Sequence, residues 1–402
     1  MTTTDSFNSL PFRDKLDLLY GVDAVEKRDL ILGSPEAERL VRSFALESFF
    51  STLKEIGLGD AADLVALASG EQLRGIVDLD CWKKDRFDVD GLLDWLMVLV
   101  EGGNRPLGEF LNSVDLSLLV FFLKSFVRIR RKEDPEEPFE DLEGGEVFEL
   151  DAHYEIGFYR WDARAPLVRQ LLEELYERDY GYFVTVMEEI WWGVDSDLEE
   201  RSFQARNARL QDRGFPDYYE ALEIYRPIPP EQILRRERPL RMRGGEDDQG
   251  VPVDRALLLP EDARSFFAEI VSQAFATENG DELRQELAFL TNRILVADGV
   301  DFADREAVTA AVQVTHDTLN LALESLAGGT DRRRGIERLR EHHLTHLFRH
   351  GWHLLLDLRR SAKRAEEGLG LVPVGGEILF LDTPHREALA GFARPKPRTF
   401  VG

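Results

Sequence analysis

Five of the chain's eight histidines fall within "EHHLTHLFRHGWH", residues 341 to 353. Imidazole ligates metals and exchanges protons near neutral pH, so the spacing decides what these side chains could do together. On an α-helix, positions i, i+4, i+7 and i+11 share a face, and His346, His350, His353 and Asp357 follow that spacing. Imidazoles one turn apart can grip a divalent ion such as zinc or iron, with a carboxylate as a further ligand. Two other readings fit the same residues. Arg338, Arg340 and Arg349 lie on or near this helix, and guanidinium charge opposes capture of a cation. A flank of His and Arg also suits packing against acidic helices, and that structural role is the preferred reading. Imidazoles facing carboxylates would be charged, with pKa values above the usual ~6.5. Stability would then decline as pH rises through them, whereas a bound metal would reverse the sign, because it needs neutral imidazole.

The remaining motifs are incomplete. His316-Asp317 resembles half of a metal phosphohydrolase pair, but no histidine lies between His153 and His316. In helical phase His316 aligns with Val312, Leu319, Leu323 and Leu326, so it reads as a core histidine. No Gly-x-x-x-x-Gly-Lys and no Gly-x-Ser-x-Gly occurs, and "GLGLVP" has Pro373 where a dinucleotide loop needs its last glycine. "DLDCWKKD" places Trp82 where a calcium loop needs an oxygen ligand. No catalytic residue is nominated, and the chain reads as a binding protein rather than an enzyme, with no resident cofactor expected.

Acidic residues outnumber basic ones by 76 to 50, for a net charge of −26. That field repels phosphate backbones and anionic lipid. The one basic patch, residues 331–340 with 359–368, keeps its aromatics on the buried side, so no nucleic-acid partner is expected. The single cysteine, Cys81, permits no intrachain disulfide and fits a reducing cytosol. "LLDWLMVLV" (92–100) and "VDLSLLVFFLKSFV" (114–127) fall short of the ~18 apolar residues of a spanning helix. With no secretory signal at the N-terminus, a soluble cytoplasmic protein is expected.

Residues 34 to 130 read as successive amphipathic helices. Ser34-Pro35 suits a helix start, Ser69-Gly-Glu-Gln72 is a capping box, and Gly102-Gly103 suits a left-handed helix end. "LASGEQLRGIV" from Leu67 is echoed by "LNSVDLSLLVFF" from Leu111, 44 residues on, the length of one helical-hairpin repeat. The acidic run 131–146 reads as a linker. Residues 147–161 alternate apolar with polar around Asp151-Ala152, predicting a β-hairpin. Helices resume to about 235, and 235–256 is polar and aperiodic, a second boundary. The third block centres on one helix over 332–367 with an apolar stripe of Ile336, Leu339, His343, Leu347, Leu354 and Leu358, beside which Gly351 would admit another backbone. A small hairpin is expected over 371–382 on Gly375-Gly376.

The run "KEIGLGDAADLVALASGEQLRGIVDLDCWKKDRFDVDGLLDWL" (54–96) resembles an uncharacterised bacterial family, a domain of unknown function. So do "NARLQDRGFPDYYEALEIYRP" (207–227), "LFRHGWHLLLDLR" (347–359) and "LDTPHREALAGFARPKPRTF" (381–400). This resemblance implies no activity, and it implies that members continue past the last residue. The first stretch is also similar to the superhelical cytoplasmic domain of E-type magnesium transporters, which implies a helical solenoid; no acidic position maps onto that domain's magnesium sites. The expected fold is mainly α: a superhelical, solenoid-like array over 1–130, a middle helical block with a β-hairpin over 147–235, and a helical bundle over 255–402. The expected function is a non-enzymatic cytosolic helical scaffold that binds a protein. The alternative is a metal-dependent enzyme, or a metal or pH sensor, using His346, His350, His353 and Asp357.

Overall fold

The computed structural model describes residues 4–83, 85–133, 146–233, 265–277, 280–368 and 382–398. The described residues form 21 α-helices and five short strands, a mainly α fold. They group into two compact units, Met1–Leu210 and Gln211–Gly402. The sequence divides the chain elsewhere, into three blocks, because it treats the acidic run 131–146 as a border; pairing of residues on either side of that run makes one sheet of them.

Side-chain caps start some of the first unit's helices, from Asp23, Ser69, Asp88 and Asp179. Ser69 Oγ accepts from the Gln72 amide at 3.2 Å while Gln72 Oε1 accepts from the Ser69 amide at 3.1 Å, closing the capping box at the head of Gly70–Asp80. The Gln72 side chain goes on to donate to the Val41 carbonyl at 2.9 Å, so one cap also joins two layers. Ser34 makes a turn instead of a cap. Its Oγ accepts from the Glu36 amide at 3.2 Å, and the helix begins at Ala37. The glycine pair after Val89–Glu101 does not make the left-handed cap that the sequence suggests: Gly102 stays right-handed, and Gly103 takes φ +97° with an extended ψ of −175°. The helices Ala24–Leu32, Leu46–Ile56, Gly70–Asp80, Asn104–Ser113 and Ala165–Arg178 pack each upon the next. The two echoed sites touch, since Ser113 Oγ donates to the Gly70 carbonyl at 2.8 Å. A Cβ on Gly70 would lie 2.6 Å from the Glu109 carbonyl oxygen, so glycine permits that close crossing.

The strands correct the all-helical reading of 34–130. β1 (Trp82–Lys83) and β2 (Arg86–Phe87) form a minimal antiparallel pair. β3 (Val127–Arg131) is a strand because "VRIRR" alternates, with Val127 and Ile129 buried between arginines. The hairpin expected over 147–161 is present as β4 (Val147–Phe148) and β5 (Tyr154–Phe158). β5 lies between β3 and β4, with Ile156 opposite both Ile129 and Phe148. Asp151 sets the turn, its Oδ1 accepting from the amides of His153 at 2.9 Å and Tyr154 at 2.8 Å.

No single helix among the described residues is long and apolar enough to cross a membrane. Asn104–Ser113 and Leu116–Lys124 reach that test only as a pair bent by 112°, and they bury Phe110, Leu119, Val120 and Phe122 in the first unit's core.

In the second unit, Phe266–Phe275, Gly280–Asp298, Arg305–Ala327, Arg332–Glu341 and Leu344–Gly368 share one core containing Leu287, Ile294, Leu323, Leu347 and Phe348. Gly351 lies against Thr318, whose carbonyl oxygen would stand 2.1 Å from an added Cβ, the close approach that the sequence suggests. His316 is buried, edge-on to Phe267 at 5.3 Å. Most of the linker runs 131–146 and 235–256, and of the hairpin expected over 371–382, lies outside the described residues.

A buried ion cluster closes the first unit. Arg209, on the Asp195–Asp212 helix, grips Asp78 through Nε at 2.7 Å and Nη2 at 2.8 Å. The same guanidinium reaches Asp115 at 2.7 and 3.0 Å. Arg206 donates to the Asp78 carbonyl at 2.7 Å and stands 5.6 Å over the Trp82 ring. Burial pushes the Asp78 carboxyl up against the pull of Arg209, and it pushes Arg206 down to about 10. Burial also works against the charge of Arg209, but Asp78 and Asp115 outweigh it and raise its pKa. Removing one partner of such a cluster strands the other charge, at a cost of about 3–5 kcal/mol. Asp78→Ala should therefore destabilise the protein by about that amount in denaturant unfolding, and Asp78→Ala with Arg209→Leu should cost less than the sum of the two single changes.

Candidate functional site

The histidine segment is two helices, not one. Arg332–Glu341 ends at His342, whose backbone is extended (φ −125°, ψ 145°), and the chain turns helical again at Leu344. Neither glycine nor proline stands at the break. Glu286, from the Gly280–Asp298 helix, makes it: its Oε1 accepts from the Leu344 amide at 2.9 Å and meets His343 Nδ1 at 3.0 Å. A carboxylate at a helix start satisfies a free N–H and favours the positive end of the helix dipole. The break resets the helical phase and moves the apolar stripe. Leu344, Leu347, Phe348, Trp352 and Leu355 are buried, whereas Leu354 is half-buried and Leu358 is exposed.

The nominated residues therefore diverge in environment. His346 is half-buried, its ring 5.8 Å from that of His343. His350 is wholly buried, with Nδ1 3.2 Å from the Ile228 carbonyl oxygen. A carbonyl only accepts, so Nδ1 carries the proton and Nε2 is left as a bare acceptor with no hydrogen-bond partner among the described residues. His353 is half-buried, stacks on His350 at 6.5 Å, and holds Nε2 3.4 Å from Asp357 Oδ2. Asp357 is shared with Arg360. The structure thus joins His353 to Asp357 and turns His350 inward. Among the described residues no group of three or more His, Cys, Asp or Glu side chains is arranged to hold a metal ion. On the flank a carboxylate faces His353, that of Asp357, whereas the Glu286 carboxylate meets His343, which the sequence assigns to the apolar stripe. For His350 the expectation of a raised pKa is corrected: burial lowers it, His353 adds to the lowering, and the Ile228 bond opposes both.

Two surface features of the first unit carry no sequence motif. A cleft of about 380 Å³ is walled by Leu111, Val114, Leu116 and Leu175, with Arg178 and Tyr182 at its polar side. At the end of the Tyr180–Trp192 helix, Trp192 is 70% exposed, and Val194 two residues later is 58% exposed. Lys124 donates to the intervening Gly193 carbonyl and pairs with Asp195 at 2.9 Å, so this apolar knuckle stands on a pinned backbone. Asp195, Ser196 and Asp197 continue it as exposed polar residues. The sequence did carry a signal for it. Adjacent residues on a helix point about 100° apart, and here Trp191 is half-buried while Trp192 faces out.

A family model described as a family of unknown function, DUF6178, matches residues 4–402. The chain belongs to that family. No curated protein and no solved structure matches it. The stretches that carry the resemblance meet in the fold. Asp78 of 54–96 and Arg209 of 207–227 form the buried fork. Within the second unit, Arg349 of 347–359 donates to the Arg226 carbonyl at 2.6 Å and accepts from the Ile228 amide at 3.1 Å. Trp352 packs on Tyr225 at 4.7 Å beside it.

The depressed pKa of His350 fixes the sign of a pH effect. In the window between its folded pKa and the unfolded value of ~6.5, the unfolded chain binds more protons, so stability rises with pH. The contribution is complete above ~6.5 and is lost as pH falls below it, by at most about 1.4 kcal/mol per pH unit. His350→Gln keeps a donor toward the Ile228 carbonyl and cannot titrate. Melting curves between pH 5 and 8, with and without chelator, should show a shallower acid decline in the variant and no effect of the chelator; equal slopes would remove His350 from the account.

Proposed function

We propose that this protein is a cytoplasmic helical scaffold that engages a protein partner through its first unit, and that its role is binding rather than catalysis. The observation that carries this reading is the knuckle of Trp192 and Val194, presented on a backbone pinned by Lys124. Exposing an indole to water is unfavourable, and Trp is the residue most often found as an energetic anchor in interfaces. Helices that pack each upon the next build extended surfaces suited to protein partners, and the first unit has such a succession. The partner's chemistry follows from charge. A chain with a net charge of −26 and exposed Asp195 and Asp197 beside the anchor suits a basic surface carrying an apolar pocket.

The test uses the partner recovered from the source cell and then purified. Trp192→Ala should weaken its affinity by about 30-fold or more, the loss of ~2 kcal/mol expected of an anchor residue. Asp195→Lys with Asp197→Lys should slow association and reduce its salt dependence. A partner that binds the Trp192→Ala protein as tightly as the unaltered one would overturn this reading.

A further inference from the structure

In the second unit, a cation sits where three independent features favour one. The Gly280–Asp298 helix ends at Asp298. The last carbonyls of a helix lack intrahelical partners, and they carry the negative end of its dipole. The Ala297 carbonyl is one of these, and it accepts from Lys396 Nζ at 3.2 Å. The Asp298 carboxylate, largely shielded from water, pairs with the same ammonium. The face of Tyr225 is the third element, with Lys396 Nζ 4.5 Å from its ring centre, within the range of a cation–π contact. Tyr225 is fixed in turn. Its hydroxyl donates to Asp298 at 2.6 Å, its ring packs on Trp352 at 4.7 Å, and burial followed by the charge of Asp298 holds its phenol protonated.

The receiving groups belong to the helical core, whereas the cation arrives on the terminal segment. Among the described residues, residues 394–398 hold few other polar contacts: Arg359 donates to the Pro395 carbonyl at 3.2 Å, and the Arg398 amide donates to the Gly391 carbonyl at 3.2 Å. Only Pro397 of that segment is buried. Arg398, the other cation that acts on Tyr225, lies on the same segment. If the segment lifts, both positive charges leave together. What stays behind is a shielded carboxylate, a helix-end carbonyl and an aromatic face, in a protein whose net charge of −26 draws cations toward it.

We propose that Tyr225, Asp298 and the Ala297 carbonyl form a receptor for a primary alkylammonium group, filled in cis by Lys396 and open to an ammonium ligand in trans when residues 394–398 are displaced. A tethered competitor lowers the apparent affinity for any free ligand by the fraction of time that it occupies the site. The site therefore binds weakly while Lys396 is present and more tightly once it is removed.

Titration calorimetry with n-butylammonium should show saturable binding to the Lys396→Ala protein at least tenfold tighter than to the unaltered protein. Asp298→Asn in the Lys396→Ala background should abolish it, and n-butanol should not bind. Should the double variant fail to fold, the unaltered protein supplies a second measurement. Hydrogen exchange across residues 383–398 should quicken with n-butylammonium and not with sodium at equal ionic strength. The acetylated, amidated tripeptide Pro-Lys-Pro separates the two sources of an alkylammonium: tighter binding than n-butylammonium indicates a lysine of a protein chain, and equal binding a small amine. A folded Lys396→Ala protein that binds neither probe, binding that survives Asp298→Asn, or exchange that quickens equally in sodium would each overturn the proposal.

Discussion

The Asp78 carboxylate is almost wholly removed from water, and the arrangement of the first unit follows from the need to satisfy it. A lone carboxylate at that depth would be prohibitively unfavourable. The guanidinium of Arg209 answers it with two parallel hydrogen bonds and spends its remaining donors on Asp115. Those three residues come from the Gly70–Asp80 helix, the Asp195–Asp212 helix and the start of Leu116–Lys124. Apolar packing tolerates small shifts, but a bidentate fork does not, so the cluster sets register among elements far apart in sequence. Asp115 illustrates the competition involved. It stands at a helix start without capping its own helix, because its oxygens are engaged by Arg209.

The second unit depends on a similar substitution of a remote group for a local one. Glu286 supplies, from another helix, an acceptor for the Leu344 amide at this helix start. The resulting break lets Leu344–Gly368 choose its own rotation. That rotation places Gly351 under the Thr318 carbonyl and carries His350 into the interior. Once there, an imidazole can be neutral at modest cost if one ring nitrogen donates to a backbone carbonyl, and Ile228 offers that carbonyl. Nearer the surface, His343 and His353 each keep an acid partner, Glu286 and Asp357. One short segment thus contains histidines in both environments.

The surface reflects the same balance of charge and shape. Among the described residues Asp78 is the one acidic residue that is buried, and the chain's acidic excess repels polyanions and attracts cations. Against that background two places stand out, the exposed Trp192 knuckle and the end of the Gly280–Asp298 helix, whose Ala297 carbonyl accepts from Lys396.

Local chemistry was legible in the chain. The capping box at Ser69, the hairpin about Asp151, the core position of His316 and the close approach at Gly351 each rest on a few neighbouring residues, or on one helix face. The strand Val127–Arg131 was legible too, in its alternation, but it was masked by the apolar run that precedes it. The break at His342, the burial of His350, the fork between Asp78 and Arg209 and the meeting of Lys396 with Tyr225 were not legible. Each is decided by a partner that lies tens to more than a hundred residues away, such as Glu286 for Leu344 or Arg209 for Asp78. Helical spacing reports which residues share a face of one helix; it carries no information about which way that face turns, because rotation is set by the packing and hydrogen-bonding demands of the neighbouring elements.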